Sequence, residues 1–152
     1  MSTENLIADL RAKLGQEIHC SEWVTVKQAD IDAFASATKD FQWIHTDPAR
    51  CAREAPLATT IAHGFLTLSM LTHLTGSIPQ DMSRLTGILM GVNYGFEKVR
   101  FINPVRTGKR IRATSVLSSV ELKDPNTLHT TKTITVEIEG ETKPACVAEW
   151  TT

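Results

Sequence analysis

Between Gly64 and Leu74 the chain reads GFLTLSMLTHL, and its large apolar residues, Phe65, Leu66, Leu68, Met70, Leu71 and Leu74, fall all around the helical circumference with small hydroxyl residues between them. A helix that is apolar on nearly every side has no face to give to water, so other elements must cover most of it. The spacing predicts one long buried helix, closed by Gly76 and Pro79.

The second half of the chain supplies a cover. Leu128, Thr130, Lys132, Ile134, Val136 and Ile138 alternate with His129, Thr131, Thr133, Thr135, Glu137 and Glu139, the period of an antiparallel strand with one wet face. Further strands are expected over 88–101, 110–122 and 145–151, between turn signals at Asn103-Pro104, Asp124-Pro125-Asn126 and Gly140. A segment over 18–26, with Trp23, Val24 and Val26, reads as one more. Consecutive strands joined by short links form an antiparallel sheet, and a curved sheet of about five strands can wrap one apolar helix. The prediction is an α+β hot-dog fold. Such a sheet leaves an edge and an open end, so a homodimer is expected.

Shorter elements precede the helix. Leu6, Ile7, Leu10 and Leu14 recur at helical spacing before Gly15. Thr25 and Gln28 fit a capping box for a second helix, with Ile31, Phe34, Ala35 and Thr38 on one face and its end near Asp40. Asp47-Pro48 reads as an N-cap followed by proline in the first turn of a short helix over 48–53, which Pro56 breaks.

At 152 residues, 1–152 is expected to be a single domain with its own core. A net charge of −1 excludes a general attraction to nucleic acid or to an anionic membrane surface. Cys20, Cys51 and Cys146 are an odd number without CxxC spacing, which points to reduced thiols in a cytoplasmic protein. No signal peptide or membrane-spanning run is expected.

The stretch KDFQWIHTDPARCAREAPLATTIAHG, 39–64, carries the chemistry. Asp40 and His45, five residues apart in a tight connection, are a candidate acid/base pair, and His63-Gly64 opens the apolar helix, whose first N–H groups lack intrahelical partners. Read by spacing alone, Asp40 is a helix-terminal turn residue, His45 a partly buried loop histidine and Asp47 an N-cap. Asp40, His45, Asp47 and His63 lack HExxH or HxH spacing, so no metal is expected. Nothing near Cys51 marks it as a nucleophile. Lys98, Arg100, Arg106, Lys109, Arg110 and Arg112 face one acid in the same stretch, Glu97, and read either as a phosphate-binding patch or as a solvated strand edge. Trp43, Tyr94 and Phe96 read as walls of an apolar tunnel or as plain core.

The chain resembles the MaoC-like dehydratases, which include the (R)-specific enoyl-CoA hydratases and a nodulation protein N-like subgroup. The resemblance rests on Ser21-Glu22-Trp23, the segment from Asp40 to His45, Ile61-Ala62-His63-Gly64, Asn93-Tyr94-Gly95-Phe96 and Lys98-Val99-Arg100-Phe101, in the family's order. The hydratase pattern is Asp, any residue, Asn, Pro, an aliphatic residue, His. Here Gln42 stands for Asn, Trp43-Ile44 for Pro-Leu, and Lys39 for the glycine common before the Asp, a version similar to the nodulation protein N-like branch.

The resemblance implies that Asp40 and His45 activate one water for addition to a trans-2-enoyl thioester of coenzyme A or of a carrier protein, giving a (3R)-3-hydroxyacyl thioester without any cofactor. It implies that the Gly64 N–H receives the thioester oxygen, that Thr72 is a possible orienting hydroxyl and that Asn93 is a possible partner of the thioester or a pantetheine amide. Gln42 and His63 are further candidates, with a structural part favoured for His63. The rival readings are an acyl-CoA thioesterase and a non-catalytic acyl-thioester-binding protein on the same scaffold.

Overall fold

The computed structural model describes residues 3–76 and 88–152. Its elements are α1 (Thr3–Arg11), β1 (Glu17–Cys20), β2 (Val24–Thr25), α2 (Gln28–Thr38), α3 (Trp43–Thr46), α4 (Pro48–Glu54), α5 (Gly64–Ser69), α6 (Leu71–Thr75), β3 (Gly95–Phe101), β4 (Arg110–Asp124), β5 (Thr127–Ile138) and β6 (Cys146–Thr151). The strands form one antiparallel sheet in the order β1-β4-β5-β6-β3, with β2 also paired to β4. This is the hot-dog arrangement. There are six strands against the five expected, the extra one coming from division of the 18–26 segment. Ser21 lies at the division, and its hydroxyl oxygen accepts the Ala113 N–H at 3.0 Å where a strand carbonyl would otherwise do so.

The alternation in β5 holds where packing is deepest. Ile134, Val136 and Ile138 are buried beside Ile111, Ala113 and Leu117 of β4 and Cys146, Ala148 and Trp150 of β6. Leu66, Leu71, Leu74 and Ile31 of the helices close the main core from the other side. Ile7 of α1 packs separately on Leu117 and Val120.

The predicted long helix is two pieces that meet at Met70. Ser69 Oγ donates to Phe65 O at 2.7 Å, Thr72 Oγ1 to Ser69 O at 3.2 Å and Thr75 Oγ1 to Leu71 O at 2.7 Å. Hydroxyls that bond back to the preceding turn weaken and bend a helix, so the small residues that interrupt the apolar surface also interrupt the rod. Burial on most sides is not reached within one chain either. Leu66, Thr67, Leu71 and Leu74 are buried, but Phe65 is 67% exposed and rests edge-on against Phe101 at 5.7 Å between ring centres. Gly76 ends α6 with φ 57°, as expected, and Pro79 lies outside the described residues.

Other boundaries shift for local reasons. α1 stops at Arg11, and Gly15, at φ 76°, turns the chain and donates to Leu117 O at 2.8 Å. α2 starts behind Lys27, not Thr25: the Lys27 N–H donates to Asp30 Oδ2 at 3.0 Å, so Asp30 supplies the box. The strand expected over 88–101 begins only at Gly95. Asp47 caps α4 as read, accepting the Arg50 N–H at 2.8 Å.

Candidate active site

Asp40 owes its position to the end of α2. Lys39 takes the left-handed conformation at φ 66°, which turns the chain sharply, and Asp40 Oδ1 accepts the Gln42 N–H at 3.3 Å in an Asx-type turn. Positive φ costs a non-glycine residue such as Lys39 steric strain that glycine would not bear. The Asp40 side chain is 52% exposed.

His45 sits on the single turn of α3 and is 7% exposed. Its Nδ1 lies 2.7 Å from Ile61 O. A carbonyl can only accept, so the ring proton is on Nδ1, and Nε2 keeps its lone pair for a proton from outside. The turn is braced from behind: Gln28 Nε2 donates to His45 O at 2.8 Å, and Gln28 Oε1 accepts from Thr60 Oγ1 at 2.5 Å. In the sequence Gln28 figures only as a capping residue of α2 and Ile61 only as part of a motif, neither as a brace of His45. The Gln28 contact is invisible there, because it joins residues 17 apart through a side chain that resembles any exposed helical glutamine.

His63 is brought into the same cluster. Its ring stacks on that of His45 at 3.8 Å between centres and 24° between planes, and Nε2 lies 3.0 Å from Asp40 O and 3.9 Å from Asp40 Oδ2. It is 3% exposed, and its Nδ1 has no partner among the described residues. His63 therefore ties the Asp40 turn to the start of α5 and walls in His45. Asp40, His45 and His63 each offer an atom within 4.8 Å of the other two, a convergence that their spacing does not announce. The same trio offers three ligand atoms that could hold a metal ion, with the two imidazole planes 24° apart.

A cavity of about 260 Å³ opens beside this cluster, lined by His45, Gly64 and Thr67 on one side and by Phe101, Asn103 and Val105 on the other. The Gly64 N–H has no acceptor among the described residues. The Phe101 ring lies so close to Gly64 that a Cβ there would sit 2.9 Å from Cγ. Thr67, buried one turn after His63, lines this cavity, whereas Thr72 lines a different one and donates to Ser69 O, its ordinary helical role. Asn93 is exposed and borders that second cavity with Phe96. Gln42 is the exposed N-cap of α3. Of the other aromatic candidates, the exposed Tyr94 meets His129 at a tilt of 48°, and Trp43 lies under the Arg50 guanidinium.

The basic cluster is not an open patch. Lys98 pairs with Glu149, Arg106 and Lys109 with Glu141, Arg110 with Glu139 and Arg112 with Glu137. Arg100 instead donates to Val99 O. The acids come from the neighbouring strands and the turn between them, so the charge excess visible in one stretch of sequence is neutralised by residues 25 to 51 positions away. The thiols are equally quiet. Burial, followed by the negative charge of Asp47, pushes the Cys51 thiol up, and burial pushes Cys146 up to about 11, so both stay protonated near neutrality.

A family model described as a MaoC like domain matches residues 9–139. Nodulation protein N of Rhizobium leguminosarum bv. viciae is 48% identical over 146 residues, 96% of this chain and 89% of that protein. A protein named 3-hydroxyacyl-thioester dehydratase Z, from Mycobacterium tuberculosis, is 48% identical over 149 residues, 98% and 95% of the two chains. Among solved structures, the monoamine oxidase regulatory protein of Archaeoglobus superposes with a TM-score of 0.74 at 25% identity, covering 91% of this chain and 87% of the other. The (R)-hydratase from A. caviae superposes with a TM-score of 0.70 at 24% identity, covering 91% and 93%, and attests the shared fold.

Proposed function

Because the chain belongs to the MaoC-like domain family, we propose that it is a hydro-lyase that reversibly adds water to a trans-2-enoyl thioester to give a (3R)-3-hydroxyacyl thioester. The observation that carries this reading is the meeting of Asp40 and His45, with donor atoms within 4.8 Å, beside a cavity that His45 and Gly64 both line. The name of the mycobacterial relative supports the same reaction class.

The chemistry follows from the site. One water bridges the Asp40 carboxylate and His45 Nε2. The conjugated carbonyl makes carbon 3 electrophilic, so the water oxygen attacks there while His45 Nε2 takes one of its protons and Asp40 holds the other hydrogen in place. Electrons move onto the thioester oxygen, and the Gly64 N–H donates to the charge that develops there. The proton taken up by the pair returns to carbon 2, so OH and H are added in balance. α5 has only six residues, and what it offers is one aimed N–H more than a helix dipole. No metal ion is needed, since conjugation already activates the double bond.

The enzyme is proposed to work as a homodimer in a reducing cytoplasm. Phe101 and Ile102 beside the cavity, and Phe65 against Phe101, are left exposed in one chain, and a second copy would hide them.

The test mixes the protein with crotonyl-CoA and longer enoyl-CoAs while following both loss of the conjugated thioester and release of free thiol. Hydration without thiol is expected. Thiol release would replace this reading by a thioesterase, and binding without turnover would replace it by a binding protein. Asp40→Asn and His45→Gln should each lower kcat by at least about 100-fold with the fold intact; full activity in either removes the assigned pair.

A further inference from the structure

α3 is a single turn, too short to satisfy its own carbonyls, so their partners come from elsewhere in the chain. Trp43 O accepts the Asp47 N–H at 3.0 Å, and Ile44 O accepts the Ile61 N–H at 3.1 Å. His45 O is held differently. Among the described residues its donor is a side chain, Gln28 Nε2, at 2.8 Å, from the first residue of α2. The other Nε2 hydrogen goes to Asp32 Oδ1 at 2.8 Å, and Gln28 Oε1 accepts from Thr60 Oγ1 at 2.5 Å. Both donors and the acceptor of the amide are used, and a flip would turn its oxygen against the His45 carbonyl.

The residue that orients this amide is itself fixed. Thr60 is 1% exposed, its hydroxyl oxygen lies 2.6 Å from that of Thr107, and its carbonyl accepts the Thr107 N–H at 3.0 Å. Ile61, the next residue, forms an antiparallel bridge with Arg106. Residues 60 and 61 therefore hold His45 at two points. Ile61 O accepts the ring proton from Nδ1 at 2.7 Å, and Thr60 sets the amide that donates to the main-chain carbonyl. With main chain and Nδ1 both anchored to one rigid segment, the aim of Nε2, the remaining ring nitrogen, is settled.

Resting on the hydration reading above, we infer that Gln28, oriented by Thr60, is a positioning residue of the reaction, acting through the direction in which His45 Nε2 points. Gln28 does not line the cavity beside His45, so it touches neither the reacting water nor the thioester. Removing its amide leaves the carbonyl of a residue only 7% exposed without a donor, and leaves one anchor where there were two. The turn then relaxes and carries Nε2 off the line to its water. A displacement of about 1 Å costs on the order of 100-fold in rate when a proton moves in the transition state. Binding of the thioester, which rests on the cavity walls and the Gly64 N–H, is unaffected.

The experiment replaces the amide by an apolar side chain of similar size, Gln28→Leu. For crotonyl-CoA, kcat should fall roughly 10- to 100-fold while KM stays within about twofold of the wild type. Thr60→Val keeps Gln28 and loses only the hydroxyl that orients it; it should lower kcat in the same way by a smaller factor, and it carries the kinetic test if Gln28→Leu does not fold. A second readout needs no turnover. In 15N-labelled protein without substrate, the His45 ring nitrogens, read through the carbon-bound ring protons, should show the proton on Nδ1 in the wild type and shifted resonances in either variant. An unchanged kcat in the folded variants, a loss carried by KM, or His45 ring resonances that coincide with those of the wild type overturns the inference and leaves hydration standing. Shifted His45 resonances in a protein that hydrates no enoyl-CoA uphold the positioning of His45 by Gln28 and remove the hydratase reading.

Discussion

Gly64→Ala is a change whose sign depends on one neighbour. A Cβ at 64 would meet Phe101 Cγ at 2.9 Å and Cδ1 and Cδ2 at 3.0 Å, all well inside ordinary contact. The obstructing atoms include the root of the ring, so rotation about χ2 cannot remove the clash and the side chain must swing away, losing its edge contact with Phe65. Overpacking of this kind costs about 1–3 kcal/mol, and the lower half of that range applies because Phe101 is 47% exposed and has somewhere to go. Against it stands the preference of a helical position for alanine over glycine, about 0.4–1 kcal/mol, which is available because Gly64 does not need positive φ. Gly64→Ala should therefore destabilise the wild type by up to about 1.5 kcal/mol. In a Phe101→Ala background the clash is gone and the same change should stabilise. Urea unfolding of the four proteins of this cycle, at constant m-value, measures both signs. The same destabilisation in both backgrounds would refute the argument that the ring above Gly64 is what excludes a side chain there.

Burial lowers the pKa of Lys132 from its ordinary value of 10.5, and the ammonium has no ion pair among the described residues, so the native state bears the cost of holding it charged. Below the folded pKa that cost is fully present, and stability recovers as pH rises toward the unfolded pKa, because there the unfolded chain binds more protons. Lys132→Met should accordingly unfold at higher temperature than wild type at pH 7, with the gap shrinking as pH approaches 10; a gap independent of pH would show that the gain comes from packing alone. A thiol reagent should modify only the exposed Cys20 in the native protein and all three cysteines after denaturation. Rapid native labelling of Cys51 or Cys146 would contradict their burial.

Where hydrogen bonds run between near neighbours in sequence, residue types were a sound guide. Asp47-Pro48 starts α4 as read, Gly76 ends α6, and turn residues separate β3 to β6 at the places expected. Capping moved from Thr25 to Lys27 and Asp30 because several residues before α2 could serve and only the path of the chain out of β2 chooses between them. The helix over 64–74 was legible as apolar, but the hydroxyls that relieve its surface also bend it at Met70. The strand expected over 88–101 was overextended because its first residues are as apolar as a strand's and find no ladder there.

The candidate site divides along the same line. Asp40, His45 and Gly64 were visible as a motif, since five residues of tight connection and a glycine at a helix start are local facts. Residue order alone also determined the antiparallel sheet, through the period of two in β5, and a helix too apolar to stand in water. What came only with the tertiary structure is every relation set by strand register and chain crossing: the Ile61 carbonyl that puts the His45 proton on Nδ1, the stacking of His63 on His45, the acids of β5, β6 and their turn that neutralise the basic residues, and the Gln28 amide that holds the His45 carbonyl. A backbone period repeats within a few residues and can be read from them. A partner 25 or 50 positions away is chosen by the register in which distant strands pair, where a slip of one residue exchanges every inward side chain for an outward one.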